Sequence, residues 1–192
     1  MELLPTIQQI LTAPTPAALW DLYGRLLAAG ADPSLIELVG AFHHYLHDLK
    51  SKADARQYSE LASLLDIGAV GGVAVQNLIG GHGAGDGPDD LMKRFLMGTV
   101  SESLMVLASR QYVKGWQSEL HSVHSQATWF LARELWQISA EMQPDLPAGE
   151  RWAHIDRLLA PARHSETRNE VKAVFLGWLF QIILLRRLAP LL

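Results

Sequence analysis

Eight histidines and no cysteine confine acid–base or metal chemistry in this chain to imidazole, carboxylate and hydroxyl groups. Thiol catalysis, iron–sulfur ligation, cysteine zinc sites and disulfides are excluded, which fits a reducing compartment. The densest group is His43-His44-Tyr45-Leu46-His47. His43 and His47 stand four apart on one side of a predicted helix. Neutral imidazoles at that spacing can ligate a metal, as in the His-Glu-x-x-His helix of zinc peptidases. The glutamate that such a helix uses as general base is missing here. The apolar stripe Leu35, Leu38, Val39, Phe42, Leu46 and Leu49 leaves His43 and His47 on its flank and turns His44 outward, near Glu37 and Asp48. A solvated or interface-flanking pair is the favoured reading. His121 and His124 form a second pair, with His124 close to the stripe of Trp116, Leu120, Val123, Ala127 and Leu131. These four histidines are the candidate metal ligands.

A helical di-metal carboxylate site needs Glu-x-x-His on two helices and two further glutamates. Glu102, Glu119, Glu134 and Glu141 are followed at the third position by Met105, Ser122, Gln137 and Pro144, so the motif is absent. Glu102 and Glu134 both project from apolar helix faces. A half-buried carboxylate of that kind is expected to pair with arginine or accept hydrogen bonds.

The Gly-rich stretch over residues 80–87 fails as a phosphate cradle. It has no Gly-Lys-Ser/Thr, the spacing of Gly81-His82-Gly83-Ala84-Gly85 is wrong for a dinucleotide loop, and Asp86, Asp89 and Asp90 would repel an anion. It reads as a flexible linking loop. No Gly-x-Ser-x-Gly elbow is present. Arg157 and His164 are vaguely similar to the Arg–His pair of helical ribonuclease domains, but Pro161 lies between them and no wider resemblance surrounds them. No catalytic residue is assigned.

The elements that would position these groups are helices. Thr15-Pro16 and Asp32-Pro33 each combine a capping oxygen with a proline whose missing N–H costs nothing at a first turn. Helices are predicted over residues 16–30, 33–50, 54–66, 68–79, 88–113, 116–142, 150–159 and 170–188. Turns fall at Lys114-Gly115 and residues 143–149, with a break at Ala160-Pro161. The expected architecture is an all-α bundle of about seven or eight helices. It forms a single domain over residues 1–192, with 1–79 and 88–192 as subdomains if the Gly-rich loop divides it.

A chain of 192 residues, 49% hydrophobic and 19% charged, can bury one sizeable core. Its net charge of −4 offers no basic face for general nucleic-acid binding. Residues 151–192 hold seven basic and three acidic groups, a net of +4; residues 1–150 hold nine and seventeen, a net of −8. Complementarity between the tail and the body is expected. The start, Met1-Glu2-Leu3-Leu4-Pro5, lacks a basic region followed by an apolar run, so no secretory signal is read and a cytoplasmic location is expected. The longest mainly apolar run, residues 173–185, falls short of the ~20 residues a membrane span requires.

The final predicted helix is apolar on two faces. Val171, Val174, Phe175, Trp178, Leu179 and Ile182 form one stripe, and Leu176, Phe180, Ile183 and Leu184 the other. Two stripes mean a central core position, a subunit interface or a membrane surface. Trp129 and Trp136, seven apart and off the main stripe of their helix, suggest a second interaction face. The leading expectation is a self-associating interaction or scaffolding module, with Phe175, Trp178, Leu179, Ile182, Ile183, Trp129 and Trp136 as contacts. The alternative is a metal- or haem-dependent enzyme using His43, His47, His121 and His124 with Glu102 or Glu134. A third is peripheral membrane contact through the final helix, with Arg186-Arg187 at the headgroups. No cofactor is predicted under the leading reading.

Overall fold

Capping oxygens and first-turn prolines start the helices where the sequence places them. In a computed structural model that describes residues 3–80, 87–110 and 120–192, Thr15 Oγ1 accepts from the Ala18 N–H at 3.1 Å at the start of α2 (Pro16–Ala28). Asp32 Oδ1 accepts from the Ser34 N–H at 2.8 Å at the start of α3 (Pro33–Lys52). Asp54 and Gln57 exchange side chain-to-backbone bonds in a capping box that opens α4 (Ala55–Leu64). The remaining helices are α1 (Leu4–Thr12), α5 (Gly68–Gly80), α6 (Pro88–Leu96), α7 (Thr99–Arg110), α8 (His121–Met142), α9 (Ala148–Arg163) and α10 (Asn169–Leu188). A 3₁₀ turn, Ala189–Leu191, follows.

The fold is all-α, with no strand among the described residues. Among the described residues ten helices replace the expected seven or eight. One addition is α1, whose Ile7, Ile10 and Leu11 are fully buried. Another arises because the segment expected as one helix over 88–113 breaks at Gly98. That residue has φ 85°, a left-handed conformation closed by its N–H donating to the Phe95 carbonyl at 2.9 Å. Pro161 does not break α9, which continues to Arg163. It lies in the last turn, where its missing N–H removes a single helical bond. The Gly-rich loop and the Lys114-Gly115 turn, with Trp116 and Glu119, fall in residues 81–86 and 111–119, outside the described residues.

Helix α10 is the axis of the structure. Every residue from Glu170 to Leu185 is buried, against α1, α3, α4, α6, α7, α8 and α9. Both apolar stripes therefore meet the chain's own helices. Together with the 3₁₀ turn the element spans 23 residues, and its most apolar 18-residue stretch has mean hydropathy 1.6, so the helix is longer than its apolar run and reaches membrane-crossing length. Of its most apolar stretch, 72% is buried within the fold. Stacked rings mark the place where α3, α8 and α10 meet: Phe42 and Phe130 lie 4.9 and 6.1 Å from Phe180, centroid to centroid.

Two features fix α10 against its neighbours. Gly177 allows close approach to the end of α4, since a Cβ there would come within 2.5 Å of Leu65 Cδ2. One turn on, the buried Gln181 amide donates to the carbonyls of Leu65 (2.6 Å), Ile10 (3.1 Å) and Leu11 (3.2 Å). These are carbonyls at the ends of α4 and α1, which lack helical partners of their own. The basic end of α10 meets acids of the body. Arg186 lies 3.0 Å from both Asp89 and Glu141, and Arg187 lies 3.3 Å from Glu141 and 3.8 Å from Glu134.

Replacing Gln181 with leucine, close in volume, removes the amide donor from all three carbonyls, of which that of Leu11 still accepts from the Ile67 N–H at 3.1 Å. Urea unfolding of Gln181→Leu is expected to show a loss of about 2–4 kcal/mol. A midpoint equal to wild type would mean that the amide is dispensable.

Candidate functional site

An aromatic groove runs over the outer faces of α2, α3 and α8. Its floor is Phe180, which reaches up from α10 between Tyr45 of α3 and Phe130 of α8. The slot above this floor holds about 220 Å³ and is walled by Ala41, His44, Trp129 and Phe130. It continues into a shallower trough of about 530 Å³ lined by Tyr23, Ile36, Gly40, Ala41, His44 and Phe130. Ile36, Gly40 and His44 recur every four residues, so they fall on one side of α3. The small residues Gly40 and Ala41 leave the depression between larger neighbours.

Two exposed tryptophans border this surface, Trp129 lining the slot and Trp20 beside the trough against Tyr23. Trp129 is 68% exposed and Trp20 is 61% exposed. Trp20 stacks on Tyr23 with centroids 5.4 Å apart and planes 7° from parallel, and it tilts over His43 at 5.2 Å. Arg133 lies over the rings of Phe130 at 5.0 Å and Trp129 at 5.9 Å, and donates to Glu37 at 2.7 Å. Its cation thus serves two ring faces and closes one side of the trough.

The expected site residues separate into core and surface. Phe175, Trp178, Leu179, Ile182 and Ile183 are at most 1% exposed. They are core residues, and a contact surface built on them has no area to offer. The correction has a simple cause: periodicity shows that α10 has two apolar faces but not what covers them. Trp129 is on the surface as expected. Trp136 is half-buried, its ring 4.5 Å from Trp152 of α9 with Arg151 5.0 Å above it. Sequence reading missed Trp20, Tyr23 and Phe130. The usable signal was Trp20 and Tyr23, three apart and off the stripe of Leu19, Leu22 and Leu26 that buries α2.

The histidines do not converge. His43 is half-buried beneath Trp20 with its ring 6.1 Å from that of His47, while His47 and His121 are exposed. His124 is buried, its Nδ1 3.1 Å from the Tyr45 hydroxyl. Among the described residues no group of three or more His, Cys, Asp or Glu could hold a metal. Glu134 is buried beside Arg133 (3.9 Å) and Arg187 (3.8 Å), matching the expected pairing with arginine. Burial raises its pKa, and Arg187 and Arg133 oppose that rise. Glu102 is exposed rather than half-buried, because the break at Gly98 restarts the helix and resets which side of α7 faces inward. His164 is exposed at the end of α9.

No protein-family model, curated protein or solved structure matches this chain. The residues alone carry the functional reading.

Burial pushes the His124 pKa down from 6.5 to about 4, and the nearby Lys172 charge adds to the fall. The folded value lies below the unfolded one, so the unfolded chain takes up this proton first. The neutral ring's contribution is complete above pH 6.5 and is lost as pH falls towards about 4. The full shift corresponds to roughly 3 kcal/mol. Urea unfolding at pH 7 and pH 4.5 is expected to show a smaller acid loss in His124→Gln than in wild type. Equal losses in both proteins would remove His124 from the acid response.

Proposed function

We propose that this protein is a helical interaction module that self-associates through the aromatic face of α2, α3 and α8. The observation that carries the reading is the pair Trp20 and Trp129, 61% and 68% exposed, with Trp129 lining the slot and Trp20 stacked on Tyr23, which lines the trough. Exposed tryptophans beside a pocket are the residue type that anchors protein contacts, because each buries a large apolar area with few rotatable bonds. The face also holds its own complement. It presents ring faces at Trp20 and Trp129 and a cation at Arg133, the pairing that a two-fold contact between identical patches can use.

The energetics favour a contact of ordinary size. A stable interface covers about 800 Å² on each partner, and apolar area contributes about 25 cal/mol per Å² before the cost of association is met. The tryptophans would supply much of that area. The final helix contributes only the Phe180 floor of the slot to this surface, because the rest of its apolar residues are turned inward.

Size-exclusion chromatography with light scattering tests the proposal. Wild type is expected to give a mass of twice the 21.2 kDa chain, and Trp20→Ala with Trp129→Ala is expected to weaken association about tenfold or more. Wild type that stays monomeric at every concentration would overturn self-association. A dimer unaffected by both substitutions would overturn the assignment of the face.

A further inference from the structure

A second cavity, of about 410 Å³, opens on a different part of the molecule, between the corner of α6 and α7 and the side of α9. Leu96, Met105 and Leu158 give it apolar walls. Ser101 lies on its α7 side, 7% exposed, with a buried hydroxyl that has no hydrogen-bond partner. A buried polar group of that kind calls for a partner from outside the chain. The volume falls within the range of small-molecule sites.

Charges of opposite sign face this cavity from opposite sides. Glu102 comes from α7, one residue after Ser101, while His154 and Arg157, one turn apart on α9, face it across the gap. Among the described residues none of the three forms an ion pair or a side-chain hydrogen bond. A carboxylate and a guanidinium that line one cleft without meeting leave a gap with an electrostatic polarity. A ligand carrying both charges would satisfy both walls at once.

We propose that this cavity binds a small zwitterion with an apolar body, an apolar α-amino acid or dipeptide. Arg157 takes the ligand carboxylate through paired N–H donors, the geometry in which guanidinium outperforms a point charge. His154 donates a further bond to the same group. Glu102 takes the ammonium, and in a dipeptide the Ser101 hydroxyl bonds the amide between the two charges. The apolar side chain rests on Leu96, Met105 and Leu158. This reading is independent of the aromatic face, which lies on other helices.

Isothermal titration calorimetry of the whole protein tests it, with leucine, phenylalanine and the dipeptide Leu-Phe as probes. Saturable binding of at least one is expected, and comparison of the amino acids with the dipeptide shows which of the two the cavity accepts. N-acetylation and C-terminal amidation of that probe are each expected to weaken binding about tenfold or more, as are Glu102→Gln and Arg157→Gln. Both substituted residues are exposed, and a melting curve matching wild type confirms that each variant is folded. No heat and no shift in melting temperature at about 10 mM probe would overturn the proposal, since a ligand bound to the native state must raise that temperature. Binding that survives both substitutions, or that is equally tight for the amide and the free acid, would overturn it too.

Discussion

The amide of Gln181 holds the helix around which the rest of the chain is built. Burial of apolar surface drives α10 into the interior, but that force has no direction. A helix apolar on every side could slide or rotate among its neighbours at little cost. Gln181 removes that freedom, because its donors must meet the carbonyls of Ile10, Leu11 and Leu65. Gly177 adds a steric constraint one turn away, where a Cβ would come within 2.5 Å of Leu65 Cδ2 and force that buried side chain to shift. The polar contact and the missing side chain together set both the depth and the rotation of the axis. Leu11 is further tied by its carbonyl accepting from the Ile67 N–H at 3.1 Å, so α1, the end of α4 and the start of α5 are held at one point.

The position of that axis shapes the surface. With Gln181 turned towards α1 and α4, the neighbouring Phe180 is directed to the seam of α3 and α8, where it meets Phe42, Tyr45 and Phe130. Phe180 fills the seam only partly and becomes the floor of the aromatic slot. At the other end of α10, Arg186 and Arg187 meet Asp89, Glu134 and Glu141. Cations in a last helical turn are also favoured by the helix dipole. The charge imbalance between tail and body thus has a structural counterpart at that end. The buried Tyr45–His124 contact beside the same ring cluster is polar, and protonation of the His124 ring costs stability only in acid.

Much of the helical framework was legible because its signals are local. Thr15-Pro16 and Asp32-Pro33 act within a few residues, and each starts a helix where read; the helix expected from residue 54 also starts there, on a capping box that the structure reveals. The misreadings have physical causes of the same scale. Gly98 was hidden inside an otherwise periodic segment, and a single left-handed residue is enough to end a helix. Pro161 looked like a stop, but a proline in the last turn removes little. Trp129 could be read as a surface residue because it stands off its stripe. The groove beside it could not, because it is assembled from residues as distant as Tyr23 and Phe130.

The amino-acid sequence by itself determined that this protein is helical, where most helices begin, and that its last helix must bury two apolar faces. Those properties follow from side-chain periodicity, capping chemistry and backbone restriction, all of which operate over a turn or two. Only the tertiary structure decided that both faces of α10 are covered from within and that Trp20 and Trp129 share a surface. It also set Glu102 and Arg157 opposite each other without touching. The physical reason is that hydrophobic burial specifies how much surface must leave water, not which partner covers it. That choice is made by contacts between residues far apart in the chain.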